Sequence, residues 1–393
     1  MRKHITTTIL AMLMLVALTF FTWGSTAMAA PVSPSSASQG RITFQHACAV
    51  APLGQARCAA LVAQLTNSTQ ALAFSPNANP TGGNNPYGPA NLHSAYNLPT
   101  TASGTPTVGI VDAFNDPDAA KDLATYRSMF GLPACTTASG CLRIVNQTGG
   151  TSLPRSNSGW ALEESLDLDM VSAICENCHI LLVEATSATN TNLGTAVNEA
   201  VKLGAIAVSN SYGENEFSGE SSTCSSFYQH NNVAVTASSG DGGLGVSYPA
   251  VCQTVIGVGG TTLNSNGTET TWNTSSSEGA GGGCSTMIAK PSWQSSATTG
   301  CSMKAVSDVS AVADPNTGVL VEDTFNEPGG VEVGGTSASS PIIAATFALA
   351  GNVSATTTPA TLPWGHSSSL FEVSGVRYSF QGGLGSPDGT GAF

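Results

Sequence analysis

One serine lies in a sequence context that suits a nucleophile. Ser337 belongs to the run GGTSASSP at residues 334–341, and an apolar segment follows it. Small residues permit a tight turn, and Pro341 is typical of a first helical turn, where its missing N–H costs nothing. The positive end of the following helix favours negative charge near the serine oxygen. The pattern indicates an acyl-transfer nucleophile, and a Ser-rich helix cap is the alternative.

The usual histidine partner of such a serine is not evident, since none of the six histidines lies in a Gly-flanked H-G motif. A predicted helix at residues 159–174 carries Glu163 and Asp167, which are four residues apart and share one face. Two carboxyls that are close and partly buried share a proton, so the pair could accept a serine proton in acid. Glu164 is the adjacent alternative to Glu163, and a solvated acidic helix face is the non-catalytic interpretation.

A third candidate, Asp241, lies in the run ASSGDGG at residues 237–243, directly after a predicted strand. A carboxyl among glycines at the end of a strand can approach a substrate carbonyl closely. If protonated, it could donate a hydrogen bond to the oxyanion of an acyl-transfer reaction. An ordinary D-G turn is the alternative.

Alternating strands and helices must position these residues. The pattern predicts an α/β fold with a mostly parallel sheet and helices on both faces. The predicted strands are 107–111, 179–183, 205–209, 233–237 and 255–258, and the predicted helices are 119–130, 159–174, 193–203 and 341–350. The Ser/Gly-rich stretch 270–299 is expected to be a long surface excursion.

Three motifs in this order, E-x-x-x-D on a helix, S-S-G-D-G after a strand and G-T-S-x-x-x-P before a helix, resemble the sedolisin family. These are subtilisin-fold serine-carboxyl peptidases that act on polypeptides at acidic pH. The resemblance implies that Ser337 is the nucleophile, Glu163 the general base, Asp167 its supporting carboxylate and Asp241 the oxyanion acid. The run SNSYG at residues 209–213 resembles the edge strand that pairs with substrate, so the implied substrate-binding residues are Ser211, Tyr212 and Gly213.

The resemblance covers residues 89–393, which we expect to form the peptidase domain. Residues 1–29 read as a signal peptide, with a basic start, an apolar run at 9–21 and an A-x-A site at 27–29. Residues 30–88 are predicted to be a short prosegment-like region and a linker. Family members carry a longer folded prosegment, so the resemblance by itself does not carry self-inhibition or chaperoned folding over to this chain.

The resemblance also implies one calcium ion near the C-terminus, but its ligands look degenerate in this chain. The closing G-L-G-S-P is present at residues 383–387. Upstream of it, Glu372 is the one acidic candidate, Ser379 stands where a second carboxylate is needed, and Arg377 would repel the ion. Calcium needs several oxygen ligands, so no cofactor is assigned.

Composition limits the environment and the partners. The net charge of −13 and the presence of only 12 basic residues argue against nucleic acid as a partner. Ten cysteines in an exported chain predict disulfides. Their spacing favours the local pairs Cys48–Cys58, Cys135–Cys141, Cys175–Cys178, Cys224–Cys252 and Cys284–Cys301. A zinc site at Cys175, Cys178 and His179 is the alternative for one of these pairs.

The sequence therefore predicts a secreted, monomeric, acid-active endopeptidase that acts on polypeptides and, once its signal is removed, has no membrane attachment. Two alternatives remain open. One is a conventional subtilisin-type protease with Asp112 in its triad. The other is a secreted binding or surface protein that keeps the fold without activity.

Overall fold

The structure is a computed structural model that describes residues 42–65 and 86–393. The predicted signal peptide lies outside the described residues, as does part of the predicted prosegment-like region and linker at residues 30–88. Among the residues that are described, no helix is long and apolar enough to cross a membrane.

A mostly parallel, eight-stranded sheet forms the centre of the fold, as the alternating pattern predicts. Six strands form the main series, and two further strands, Val309–Val312 and Glu269–Thr271, pair with its last strand, Ile256–Leu263. Val309–Val312 is parallel to that strand and Glu269–Thr271 is antiparallel to it. The main series, in order across the sheet, is Leu142–Asn146, His179–Ala185, Thr107–Ala113, Ala207–Asn210, Ala234–Ser238 and Ile256–Leu263.

Helices cover both faces of this sheet because its strands are apolar on both sides. In strand His179–Ala185, Ile180 and Leu182 enter one core, whereas Leu181 and Val183 enter the other. Helices Pro89–Tyr96, Ala119–Met129, Ser158–Ile174 and Thr336–Ala350 contribute to the first core, and Asn190–Lys202 and Glu220–Phe227 to the second. The α/β prediction is therefore confirmed.

Residues 42–65, expected to belong to a separate prosegment-like region, contribute strands to the same body. Strands Ile42–His46 and Leu61–Leu65 form a four-stranded antiparallel sheet with Gly329–Gly334 and Val319–Asp323. The two-residue strand Arg57–Cys58 pairs with Tyr212–Asn215, which also pairs with Ser247–Tyr248. Ala60 and Ala63 of this region are fully buried.

Two predictions about local structure are wrong. The last long helix begins at Thr336, so Pro341 lies inside it rather than in its first turn. Residues 270–299 are not a surface excursion, since Trp272 is fully buried. This stretch contains the strands Asn273–Ser275, Glu278–Gly279 and Gly283–Ala289 and the short helix Ser296–Thr299. The remaining short elements are Met303–Val306, Thr361–Gly365, Leu370–Phe371 and Ser386–Pro387.

All five predicted disulfides are present: Cys48–Cys58, Cys135–Cys141, Cys175–Cys178, Cys224–Cys252 and Cys284–Cys301. The zinc alternative is therefore wrong, because Cys175 and Cys178 bond to each other. Disulfides of this density are typical of proteins from oxidising compartments.

Candidate active site

Ser337 lies in the first turn of helix Thr336–Ala350, directly after a sharp backbone turn. Gly335 forms that turn with a φ of 98°, which only glycine adopts readily. The Ser337 side chain is fully buried. Its hydroxyl donates to the Ser211 carbonyl oxygen at 3.1 Å and accepts from the Ala59 backbone N–H, also at 3.1 Å.

The proline inside the helix has a local consequence at this serine. Because Pro341 has no N–H, it cannot donate to the carbonyl oxygen four residues earlier, which belongs to Ser337. That carbonyl instead accepts the Ser211 hydroxyl at 3.3 Å. The G-T-S-x-x-x-P spacing thus couples the nucleophile candidate to the neighbouring strand.

Glu163 and Asp167 come from helix Ser158–Ile174, whose start is capped by the Asn157 side chain accepting from the Trp160 N–H. From Trp160 to Ile174 every residue of this helix is buried. An acidic helix face in solvent, the bland interpretation of the sequence, is therefore wrong. The helix places its carboxyls inside the protein, between the sheet and helix Thr336–Ala350.

The two carboxyls approach the serine by different routes: Asp167 through Ser211, and Glu163 beside the Ser337 hydroxyl itself. Asp167 accepts the Ser211 hydroxyl at 2.6 Å. Neither Glu163 oxygen accepts a well-formed hydrogen bond from a described residue. Burial, and then the charges of Asp167, Asp112 and Asp241, raise the pKa of Glu163 well above its usual value, whereas the nearby Ser337 hydroxyl lowers it in part. Burial, followed by the charge of Asp112, likewise raises the pKa of Asp167.

Asp241 is held against the same helix start. One carboxyl oxygen accepts both the backbone N–H and the hydroxyl of Thr336, each at 2.8 Å. The other oxygen has no partner among the described residues. Burial raises the pKa of Asp241 to about 7, although the Thr336 bonds and the charge of Arg57 oppose the rise. In acid this carboxyl is protonated and can donate.

The predicted substrate strand lies beside the serine. Ser211 joins the central strand Ala207–Asn210 to strand Tyr212–Asn215, and Tyr212 and Gly213 present a backbone edge to residues 57–58. A cleft of about 730 Å³ borders this edge, and residues 213–217 and 239–247 form much of its lining. The structure thus brings all the predicted site residues to one place.

The alternative candidates lie elsewhere or have other contacts. Glu164 accepts the Asp116 N–H at 3.1 Å, so it faces away from Ser337. Asp112 is fully buried near Asp167, and burial raises its pKa to about 8. No histidine of the described residues contacts the Ser337 hydroxyl, whose partners are Ser211 and Ala59. A Ser-His-Asp triad is therefore not formed.

Sequence reasoning missed two features of the site. Thr336 anchors Asp241, and nothing in the motif besides its position next to Ser337 suggests that role. Residues 57–59 lie in the groove although the sequence assigns them to the prosegment-like region, outside the predicted peptidase domain. The Cys48–Cys58 spacing is the one sequence feature that could have indicated an ordered structure there.

The matches to known proteins fit this geometry. The subtilase family model matches residues 155–364, more than half of the chain, and the chain belongs to this family, whose members are serine-type peptidases. Within it, the chain is 28% identical to sedolisin of Pseudomonas sp. (strain 101) in an alignment 301 residues long that covers 68% of the chain and 50% of sedolisin. The chain thus spans about half the length of this curated relative.

Solved structures agree on the fold. Pseudomonas sedolisin, a serine-carboxyl proteinase, has a TM-score of 0.66 at 26% identity, over 77% of this chain and 95% of that one. A lanthipeptide protease has a TM-score of 0.52 at 15% identity, covering 77% and 92%, and fervidolysin from Fervidobacterium pennivorans 0.51 at 14%, covering 81% and 49%. These last two support the subtilisin-like fold alone.

The residues near the C-terminus do not fit the calcium ion that the sedolisin resemblance implies. Glu372 is half-exposed and lies 3.7 Å from Arg377. The backbone groups of Ser379 and Gly383 bond to each other, and the Ser379 hydroxyl accepts the Gly382 N–H. The oxygens that would coordinate an ion are thus already engaged, and one carboxylate beside an arginine gives little affinity.

We expect the melting temperature to change by less than about 1 °C when EDTA is added, because these residues do not fit a calcium ion. A metal bound only to the native state would stabilise it by mass action, and its removal would lower the melting temperature. Thermal melting with and without EDTA, together with elemental analysis of untreated protein, measures this. One equivalent of calcium and a fall of several degrees would contradict the prediction.

Proposed function

We propose that this protein is a secreted, acid-active serine-carboxyl endopeptidase. One observation carries the proposal: the buried Ser337 hydroxyl contacts Ser211 and Ala59, with the Glu163–Asp167 pair beside it and Asp241 lining the adjoining cleft. Five disulfides support an exported protein, and the signal peptide at residues 1–29 stays a prediction.

In the proposed reaction the substrate adds as a strand to Tyr212–Asn215. The Ser337 oxygen attacks the substrate carbonyl carbon, and Glu163 accepts the hydroxyl proton. Asp167 holds Ser211 and shares negative charge with Glu163, so a proton is retained within the pair. The leaving amine takes its proton from Glu163, and water then attacks the ester by the same route in reverse.

The oxyanion that forms during attack is stabilised by two donors. The Ser337 N–H lies in the first helical turn, where N–H groups lack an intrahelical acceptor. The unpartnered oxygen of protonated Asp241 is the second donor. Because the pKa of Asp241 is raised only to about 7, ionisation removes this donor above neutral pH.

Ser337→Ala is expected to lower the rate of casein hydrolysis by about 10³-fold or more, because it removes the nucleophile on which every later step depends. The wild type is expected to be most active below pH 7. Digestion of casein by both proteins from pH 3 to pH 9 measures this. Equal activity of the two proteins, or an optimum above pH 7 with a histidine-like limb, would contradict the proposal.

A further inference from the structure

Two carboxylates that the proposed reaction does not use line the cleft beside the substrate edge. Glu214 belongs to strand Tyr212–Asn215, to which the substrate adds in that reaction, and Glu216 follows two residues later. Both residues are half-buried. They therefore lie within reach of a peptide bound at this edge, but outside the group of residues that reacts with it.

Neutral donors hold both carboxylates in place. Glu214 accepts a side-chain N–H of Asn190, which also lines the cleft. Glu216 accepts the Ser285 hydroxyl, and it accepts the N–H and the hydroxyl of Thr286 at 3.2 Å each. Neither glutamate forms a salt bridge with a basic side chain of the described residues. The negative charge of the pair is thus positioned but not compensated.

A third carboxyl lies close to this pair. Glu220 is 1% exposed. One of its oxygens accepts the Phe217 N–H at 3.0 Å, and the other accepts no hydrogen bond from a described residue. Burial, and then the charges of Glu216 and Glu214, raise the pKa of Glu220 to about 7, although the Phe217 N–H opposes the rise. A cation bound beside the three glutamates would relieve their repulsion.

The basic side chains of the cleft do not supply this cation. Among the described lining residues they are His46 and Arg57. Burial, and then the charge of Arg57, lower the pKa of His46 to about 4, so its imidazole is neutral at pH 5. Arg57 donates to the Cys48 carbonyl at 3.0 Å and interacts with the charge of Asp241. It also pairs with Gly213, so a substrate strand bound at that edge replaces it and meets a cleft whose charged side chains are acidic.

The register of pairing decides which substrate residue faces the cleft. Ala59 donates its N–H to the Ser211 carbonyl oxygen at 3.2 Å, and its own carbonyl oxygen lies beside Gly335, two residues before Ser337. Ala59 borders the cleft, whose volume is about 730 Å³, but its side chain is only a methyl group. A substrate residue in the same register therefore has its carbonyl at Ser337 and room for a long side chain.

We propose that Glu214 and Glu216 make the cleft select a lysine or arginine side chain on the substrate residue whose carbonyl Ser337 attacks. The proposal rests on the proposed peptidase function and names its substrate preference. The ammonium or guanidinium group supplies the cation that the glutamates lack, and its N–H groups donate to their free lone pairs. An acidic side chain at the same position is repelled, so attraction and repulsion both contribute to the selection.

The test uses internally quenched peptides at pH 5 that are identical except for lysine, leucine or glutamate at this one position. The proteins are the wild type, Glu214→Gln/Glu216→Gln and the control Glu278→Gln, which alters a half-buried glutamate outside the cleft lining. We expect wild-type kcat/KM to be at least about tenfold higher for the lysine peptide than for the glutamate peptide, and about threefold higher than for the leucine peptide, because opposite charges attract strongly in a partly desolvated site. The double variant should lose most of this preference, and the control should keep it.

Binding separates this proposal from the proposed function. Fluorescein-labelled forms of the same peptides are titrated into Ser337→Ala proteins with and without the two glutamate substitutions, and fluorescence anisotropy gives the dissociation constants. We expect the lysine peptide to bind about tenfold tighter than the glutamate peptide only where both glutamates are present. This preference in binding, without hydrolysis by the proteins that keep Ser337, would reject the peptidase function and retain the selective cleft. Equal binding of the peptides, binding of none, or a preference that survives the double substitution would overturn the proposal.

Discussion

Glu163→Gln and Asp167→Asn are each expected to lower kcat by about 10²–10⁴-fold, the range of a lost general base. Both carboxyls are fully buried, and in the proposed mechanism they form one proton-transfer unit with Ser337. The double variant should therefore be little worse than either single one. The measurement is kcat on a fluorogenic peptide at pH 4, with the wild type as reference.

Glu164→Gln is the matched control, because it lies next to Glu163 on the same helix and is equally buried. Its carboxyl accepts the Asp116 N–H and does not face Ser337. We expect its kcat to stay within about threefold of the parent, since the residue makes no contact with the reacting atoms. A large loss in Glu164→Gln with activity kept in Glu163→Gln would show that the helix presents the other carboxyl.

The second prediction concerns stability and pH. Burial without a cation raises the pKa of Asp112 to about 8, of Glu184 to about 9 and of Asp323 to about 8. Well below the unfolded pKa values of 3.8 for Asp and 4.5 for Glu, each group is protonated whether the chain is folded or not. As the pH rises, the unfolded chain loses these protons first, so the free energy of unfolding falls until the pH passes the folded pKa.

The melting temperature should therefore be at least about 5 °C higher at pH 5 than at pH 8, since one pKa unit corresponds to about 1.4 kcal/mol. Thermal melting across this range measures it. Asp112→Asn should raise the melting temperature at pH 8 and leave it nearly unchanged at pH 4, because the amide cannot ionise. Stability that rises towards neutral pH in the wild type would contradict the argument.

The two local errors in the sequence interpretation have separate physical causes. The sequence predicts a first-turn position for Pro341 because the preference of proline for that position is strong. In the fold, Ser211 satisfies the carbonyl that the proline leaves without a donor, so the helix can start five residues earlier. The Ser and Gly content of residues 270–299 predicts a surface stretch. In the fold, however, the Trp272 side chain is fully buried and packs against Gly260.

The sequence by itself predicted the layer architecture, favoured the disulfide pairs that the structure contains, and supplied the four candidate catalytic residues. These follow from short-range information: the period of apolar residues, the spacing of cysteines, and motifs of eight residues or fewer. Only the tertiary structure decided which carboxyls are buried, that Asp167 reaches Ser337 through Ser211, and that residues 57–59 lie in the groove. The physical reason is distance along the chain. Ala59 and Ser337 are separated by 278 residues, and their contact depends on how the strand before Ser337 pairs with Leu61–Leu65, which no local pattern encodes.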